Sequence, residues 1–317
     1  MSANDLPSAI DNLTPETIQS GFASLGYICD ESIAMAIYLA TQLNKPILVE
    51  GPPGVGKTEL AKATASLLEL SLIRLQCYEG LDEAKALYEW KYGKQLLYTQ
   101  VLKDKLGDLL KGAHGLSESV TRLHEFGDIF YSEEFLEPRP LLQALKAEHG
   151  SVLLIDEIDK SDHEFESFLL EMLSDYQISV PEIGTIKAVS HPIVFLTSNN
   201  TRELSDALKR RCLHLYIPFP DIKLEQKIIQ SRVPEASSNL QKQLVHFVHS
   251  LREMDLKKHP SISETIDWAR ALVLLHASAL EPDLVKSTLN LLLKHEEDIA
   301  TVKPELTSLL NKSRSAR

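Results

Sequence analysis

The chain has 317 residues, of which 44% are hydrophobic and 25% are charged, so its composition is that of a globular protein with one large or two modest domains. A formal net charge of −12 argues against a broad nucleic-acid-binding face, which needs an excess of basic residues. Residues 1–13 are polar and acidic, unlike a secretory leader, and no apolar run approaches the length of a membrane span. The three cysteines form no C-x-x-C pair, which argues against a disulfide framework or a zinc site. We therefore expect a cytoplasmic protein that is not bound to a membrane.

Two helices are predicted before the first strand. Thr14-Pro15-Glu16 is typical of a helix start, because proline fits the first helical position. Asp30 is predicted to cap a second helix from Glu31 to Leu43, whose apolar side chains recur at helical spacing. The chain is thus expected to enter its first strand from a pair of helices.

A glycine-rich loop follows the first predicted strand. Its eight residues match the phosphate-binding pattern G-x-x-x-x-G-K-[ST] at every position, and they read Gly51-Pro52-Pro53-Gly54-Val55-Gly56-Lys57-Thr58. An apolar strand at 46–50 precedes the loop, and a segment rich in helix formers begins at Glu59. In this context, backbone N–H groups and the helix N-terminus surround an anion. We expect this P-loop to bind ATP, with Lys57 on the β- and γ-phosphates, the Thr58 hydroxyl on Mg²⁺ and Glu59 beside the nucleotide.

Tyr27 and Ile28 are candidate contacts for the adenine base of that nucleotide. They lie between the two predicted helices, shortly before the P-loop strand. Packing of both side chains into the core is an equal alternative, because apolar and aromatic residues are common there.

The segment after the P-loop helix is only partly interpretable. Residues 70–77 are predicted to form a second strand. Residues 78–100 are rich in tyrosine, tryptophan and lysine, and such aromatic residues either grip a polymer or pack an irregular segment. Residues 101–127 are polar, with glycines that include Gly107, Gly112 and Gly115, and have a helical stretch near 116–126, so we predict an insertion or mobile loop.

A second informative stretch reads Ser151-Val152-Leu153-Leu154-Ile155-Asp156-Glu157. Four consecutive apolar residues indicate a strand that is buried on both faces. The two acidic residues then fall at the carboxyl end of the strand, where open α/β sheets bind ligands. We expect Asp156 to hold Mg²⁺ through its water shell and Glu157 to polarise the attacking water as general base.

The elements that follow complete an α/β pattern. Asp162 is predicted to begin a helix with one apolar face, and residues 177–189 are predicted to form a hairpin with its turn at 182–184. The apolar residues of that hairpin either form an exposed grip for a polypeptide or pack against the core; they are Ile178, Val180, Ile183 and Ile186. Further strands are predicted at 192–200 and 213–218, with a short helix between them that ends in three basic residues.

The composition changes near residues 219–221, after which only helical periodicity remains. We therefore expect an α/β nucleotide-binding domain with hairpin insertions at residues 1–221. A small, all-α lid domain is expected at residues 222–317.

In this order, the motifs resemble those of the AAA+ ATPases. Residues 51–58 are similar to Walker A and residues 153–157 to Walker B. By the same resemblance, Asn199 corresponds to sensor 1, Arg211 to the arginine finger with Arg210 as the other candidate, and Arg270 to a nucleotide-contacting sensor 2. The resemblance implies a P-loop fold in which helices sandwich a five-stranded parallel sheet. It also implies ATP hydrolysis at the subunit boundaries of a homo-hexamer.

Within AAA+, the chain resembles the MoxR family and its CoxD-like branch. The stretches that support this resemblance lie at 76–82, 88–90, 137–142 and 263–270. The resemblance implies a chaperone-like motor that works with a von Willebrand factor A domain adaptor and a client enzyme, in maturation or activation of a metalloenzyme or enzyme complex.

Two other functions fit parts of the same sequence. A nucleic-acid motor or loader uses the same ATPase core, but the acidic net charge makes nucleic acid a less favourable partner. A P-loop kinase for a small molecule needs neither an arginine supplied by a neighbour nor a separate helical lid.

Overall fold

The computed structural model describes residues 13–109, 132–181 and 183–315. The helical stretch predicted near 116–126 lies outside these residues. The strands are β1 Ile47–Glu50, β2 Ser71–Gln76, β3 Tyr88–Trp90, β4 Leu136–Pro138, β5 Ser151–Asp156, β6 Gln177–Val180, β7 Gly184–Lys187, β8 Ile193–Ser198 and β9 Leu213–Tyr216. The helices are α1 Pro15–Ser24, α2 Glu31–Leu43, α3 Lys57–Leu67, α4 Glu83–Ala86, α5 Tyr92–Leu109, α6 Pro140–Lys146, α7 His163–Asp175, α8 Asp206–Arg211, α9 Ile222–Arg232, α10 Ser238–Arg252, α11 Ile262–Leu274, α12 Pro282–Leu292 and α13 Glu296–Ser315.

A five-stranded parallel sheet organises the first part of the chain, with strand order β2-β5-β8-β1-β9. The central strands β5 and β8 are buried along their whole length, as expected for a parallel sheet covered on both faces. One hydrophobic cluster contains Leu153 and Leu196, and another contains Val152 and Phe195. Because neighbouring residues of a strand face opposite sides, the two clusters lie on opposite faces of the sheet. This is the predicted α/β P-loop fold, and it brings the carboxyl ends of β1, β5 and β8 to one edge.

The first two helices begin where predicted, and each is capped by a side chain. The Thr14 hydroxyl accepts a hydrogen bond from the backbone of Thr17, whose side chain accepts one from Thr14 in return. The Asp30 carboxylate accepts from the backbone N–H of Ile33 at 3.0 Å. Each cap satisfies N–H groups that have no partner within the helix, which contributes about 1 kcal/mol.

The hairpin of β6 and β7 is antiparallel, as predicted, but its apolar side chains are not exposed. Ile178 and Val180 are each 1% exposed, Ile186 is 9% exposed, and Ile183 packs against the same cluster. The hypothesis of an exposed apolar grip is therefore wrong for this hairpin. Its alternating pattern faces the core, and a buried isoleucine contributes about 1.5–3 kcal/mol by leaving water.

Residues 78–109 are more regular than the sequence indicates. Two short strands, β3 and β4, pair antiparallel outside the main sheet, and α5 runs for 18 residues. Leu96 and Leu97 on α5 are both more than half exposed, so the helix lacks the one-sided apolar pattern by which helices are recognised. Lys94 lies over the ring of Phe135, with Nζ 4.9 Å from the ring centroid. Packing of α5 against residues 133–135, which lead into β4, thus accounts for the order of this segment better than periodicity does.

From Ile222 onward, the regular elements of the described chain are all helices, and they share a hydrophobic cluster of their own. At its centre Trp268 is fully buried and donates from Nε1 to the Thr288 hydroxyl at 2.9 Å. The last helix, α13, contains Pro304, a residue that ordinarily interrupts helices. None of the helices in the described part of the chain has both the length and the apolar character of a membrane span.

Candidate nucleotide-binding site

The P-loop joins β1 to α3 and needs glycine at two positions for steric reasons. At Gly51, φ is +149° and an added Cβ would lie 2.1 Å from the carbonyl oxygen of Ile217 on the chain leaving β9. At Gly54, φ is +73° and a Cβ would lie 2.4 Å from the hydroxyl of Ser261, which caps α11. The loop therefore packs tightly against β9 and the lid, so its backbone forms a preformed concavity for an anion.

Lys57 lies in the middle of this concavity. Its ammonium donates to the carbonyl oxygens of Gly51 at 2.6 Å and Pro52 at 2.8 Å, and to Asn199 Oδ1 at 2.7 Å. The residue is 7% exposed, and burial lowers the pKa of its side chain to about 8, although Asp159 and other nearby carboxylates oppose the shift. One cation thus links the P-loop to the end of β8, where Asn199 is the predicted sensor.

Asp156 and Thr58 meet where a magnesium ion is expected. Thr58 Oγ1 donates to Asp156 Oδ1 at 3.2 Å, and Thr197 Oγ1 donates to the same oxygen at 2.5 Å. The carboxylate is 3% exposed, so its charge requires close partners. The described residues contain no cluster of three or more acidic, histidine or cysteine side chains that could hold a metal on their own. A hydroxyl and one carboxylate fit Mg²⁺ that takes its remaining ligands from phosphate and water.

Glu157 sits at a strained turn directly after β5. Its backbone is left-handed, with φ 57° and ψ 50°, which costs a non-glycine residue about 1–2 kcal/mol. Its N–H donates to the Thr197 hydroxyl at 2.9 Å. Gln76 Nε2 donates to its carboxylate at 2.8 Å, and Asn199 Nδ2 lies 3.4 Å from the other oxygen. The turn therefore aims this carboxylate at the sheet edge, beside Lys57 and Asn199.

Three residues of the site were missed by the sequence analysis. Gln76 and Arg74 on β2 reach Glu157 and Asp156, respectively. Asp159 is 4% exposed and accepts from the backbone and the hydroxyl of Thr201, at 3.0 and 2.6 Å, just beyond the sensor position. Burial opposes ionisation of Asp159, but the hydrogen bonds from Thr201 outweigh it and lower the pKa. Asp159 could have been noticed in the sequence, because it is a third acidic residue close to Asp156. Arg74 and Gln76 could not, because nothing in the sequence indicates that β2 pairs with β5.

A cavity of about 100 Å³ lies beside the P-loop and contains both base-contact candidates, Tyr27 and Ile28. Its lining is mainly apolar and includes Val55, Ile217, Pro218, Ile262 and Ile266. Glu59 also lines it, paired at 3.3 Å with Arg232 at the end of α9. Burial raises the pKa of the Tyr27 hydroxyl, so that group stays protonated and can donate. Such a pocket suits a flat, weakly polar ring.

The contacts of the predicted arginines Arg211 and Arg270 are with residues other than Lys57, Asn199 and Glu157. Arg211, at the end of α8, donates to the Ser174 hydroxyl at 2.5 Å and to the Ala207 carbonyl at 3.0 Å. Arg210 is exposed to solvent. Arg270 is also exposed and lies 3.8 Å from Asp267, outside the cavity lining, where Arg232 is the contributing arginine. Arg270 lies on the same face of α11 as Ile266 but one turn farther along the helix.

Comparison with known proteins gives relatives and structural neighbours. The chain is 28% identical over 239 residues to an uncharacterized protein of Staphylococcus epidermidis, covering 73% of this chain and 77% of the relative. It is 29% identical over 238 residues to the uncharacterized protein SAB1265c of Staphylococcus aureus, covering 73% and 76%.

Solved structures to which the chain is similar include a point mutant of Thermotoga maritima RuvB, with a TM-score of 0.47 and 18% identity over 90% of this chain and 73% of that one. The T. maritima RuvB Holliday junction branch migration motor has a TM-score of 0.44 and 18% identity over 84% and 70%. The model of the AAA domain (dynein-related subfamily) matches residues 46–212, more than half of the chain. The chain therefore belongs to this family of AAA+ P-loop proteins.

Proposed function

We propose that this protein is a cytoplasmic, ATP-hydrolysing motor of the MoxR type that remodels or activates a partner protein. The observation that best supports ATP hydrolysis is the convergence of polar side chains at one edge of the sheet. Lys57 bonds to Asn199 at 2.7 Å, Asn199 lies 3.4 Å from Glu157, and Thr58 lies 3.2 Å from Asp156. A cation for the phosphates, a metal ligand and a base for water are thus adjacent.

Nucleotide binding follows from the lining of the site. The adenine enters the cavity beside Tyr27 and Ile28, and the phosphates lie on the P-loop N–H groups. Lys57 gives up contacts to carbonyl oxygens of the loop and binds the β- and γ-phosphates instead. Thr58 and Asp156, which lie 3.2 Å apart, would hold Mg²⁺, and the ion would supply positive charge against the developing charge on the phosphates.

Hydrolysis needs a water molecule in line with the γ-phosphate. Glu157 accepts a proton from this water, and Asn199, whose amide lies 3.4 Å from the Glu157 carboxylate, helps to orient it. We propose that Arg211 of a neighbouring subunit in a homo-hexamer supplies positive charge to the transition state, exchanging its present contact with Ser174 for phosphate. Arg210, which is exposed, is the other candidate for this position. The role of Arg270 stays a prediction.

The partner proposal rests on the resemblance to the MoxR family and on charge. With a net charge of −12, the surface disfavours an extended phosphate backbone as substrate. We propose a von Willebrand factor A domain adaptor and a client enzyme, with maturation or activation of a metalloenzyme or enzyme complex as the outcome. Residues 222–315 serve as the helical lid, which closes over the base cavity through Ile262 and Ile266.

The test is capture of the client by a variant that binds ATP without hydrolysing it. Glu157→Gln is purified from the native host with ATP, and Lys57→Met, which lacks the phosphate-binding cation, is the matched control. We expect an adaptor or client protein to be retained by Glu157→Gln and not by Lys57→Met. We also expect the retained protein to stimulate ATP hydrolysis by the wild type. Stimulation by DNA, with none by any captured protein, would contradict the proposal in favour of a nucleic-acid motor.

A further inference from the structure

Arg74, on the edge strand β2, binds the carboxylate that is predicted to hold Mg²⁺. Its Nη2 lies 2.5 Å from Asp156 Oδ2 and 2.6 Å from Gln76 Oε1. The register of β2 and β5 places Gln76 beside Asp156, and residues two apart on a strand share a face. The pairing of these two strands therefore aims the guanidinium at the end of β5.

The contacts of Asp156 leave little room for two cations. Oδ1 accepts hydrogen bonds from Thr197 and Thr58, and Oδ2 accepts one from Arg74 and lies 3.4 Å from Thr58 Oγ1. A divalent ion held between Thr58 and Asp156 would share this small carboxylate with the guanidinium. The divalent ion and the guanidinium are both positive, and they would repel each other strongly this close to a buried carboxylate, where water screens charges poorly.

Arg74 is much more exposed to solvent than Asp156. If a divalent ion bound here, the arginine rather than the carboxylate would therefore move. Asp156 has a side chain that is 5% exposed, and its carboxylate is fixed by two threonine hydroxyls. The Arg74 side chain is 49% exposed, so its guanidinium can return to water and keep its hydration. The buried carboxylate needs one cation at all times, whereas the arginine does not need the carboxylate.

We propose that Arg74 is the internal counter-ion of Asp156 in the absence of nucleotide, and that it leaves this carboxylate when a Mg²⁺-nucleotide binds. Arg74 therefore sets how strongly nucleotide binding depends on Mg²⁺. The inference rests on the proposed function only in requiring that the site binds a Mg²⁺-nucleotide.

The experiment measures the dissociation constant of a fluorescent ADP analogue, once with Mg²⁺ and once with EDTA. The ratio of the constant in EDTA to that in Mg²⁺ reports the coupling between metal and nucleotide, and it requires no hydrolysis. The variants are Arg74→Met, Arg74→Gln and Arg74→Lys. Lys257→Met is the matched control, because it removes one positive charge from an exposed ion pair with Glu297 in the lid. Circular dichroism verifies that each variant is folded.

We expect the ratio to rise about fivefold to tenfold in Arg74→Met and Arg74→Gln, because the metal no longer competes with a charge-assisted hydrogen bond. Arg74→Lys, which keeps the positive charge that competes with the metal, and Lys257→Met are expected to stay within about twofold of the wild type. An unchanged or lower ratio in both neutral variants overturns the role of Arg74. Equal weakening with and without Mg²⁺ also overturns it and makes Arg74 a phosphate ligand. A wild type that binds no nucleotide in either condition rejects the nucleotide site itself.

Discussion

The burial of Lys57 predicts an unusual dependence of stability on pH. Burial lowers the pKa of its ammonium from 10.5 to about 8, whereas the unfolded chain keeps the higher value. Between these two pKa values the unfolded state binds more protons, so the free energy of unfolding rises as the pH rises. The full difference in pKa corresponds to about 3 kcal/mol, of which about 2 kcal/mol is recovered between about pH 7.5 and pH 9.5.

The perturbation that isolates this effect is Lys57→Met, which keeps the length of the side chain without the charge. Urea unfolding without nucleotide gives the free energy of unfolding of the wild type and of the variant at each of the two pH values. The difference between the two proteins is then compared between the two pH values. Other titrating groups are common to both proteins and cancel. We expect the wild type to gain about 2 kcal/mol on the variant at the higher pH. The reasoning from burial would be refuted if the difference in free energy of unfolding between wild type and variant changed by less than about 0.5 kcal/mol between the two pH values. It would also be refuted if the wild type lost stability relative to the variant at the higher pH.

The same shift has a consequence for binding. Phosphates bind the protonated ammonium, so nucleotide binding draws a proton onto Lys57 above about pH 8. We expect the affinity for a Mg²⁺-nucleotide to fall by up to about tenfold per pH unit above that value. Fluorescence titration between about pH 7 and pH 9.5 checks this, and an affinity independent of pH would contradict it.

Three further predictions concern the loop, the subunit contact and the hairpin. Gly51→Ala should lower the free energy of unfolding by about 2 kcal/mol or more, because its Cβ would overlap a backbone carbonyl. Gly93→Ala in α5, where a Cβ would meet no neighbouring atom, should be neutral or stabilising. Urea unfolding measures both effects. Arg211→Ala and Lys57→Met should each be inactive alone, and mixing them should restore part of the ATPase activity; mixed rings without any recovery would exclude a finger at Arg211. Ile178→Ser should destabilise the fold by about 2–4 kcal/mol, and a variant of normal stability would show that the hairpin does not need this buried side chain.

The P-loop and β5 were predictable because their sequence patterns are local. Eight consecutive residues fix the loop, and an apolar run that ends in Asp156 and Glu157 fixes the strand and its acidic end. The convergence of Lys57 with Asn199 also follows from sequence, since parallel strands bring their carboxyl ends to one edge. The order β2-β5-β8-β1-β9 needed the structure, because it depends on pairing between distant segments.

Other features depend on contacts that periodicity does not encode. The contact of Arg74 with Asp156 requires the register of β2 against β5, which no pattern in β2 specifies. The direction of the hairpin isoleucines was left open because an alternating strand reads the same whether its apolar face meets solvent or core. Helix α5 was missed because apolar side chains such as Leu96 remain exposed.

The central claim, that the edge of the sheet hydrolyses ATP with Glu157 as base, is tested most directly by the ATPase rate of Glu157→Gln. Glu164→Gln, an exposed position on α7 with the same change in charge, is the control. The account predicts Mg²⁺-dependent hydrolysis by the wild type and the control. It predicts a loss on the order of 10² or more in Glu157→Gln, with ATP binding retained. A Glu157→Gln protein that binds ATP and hydrolyses it at the wild-type rate would contradict the account.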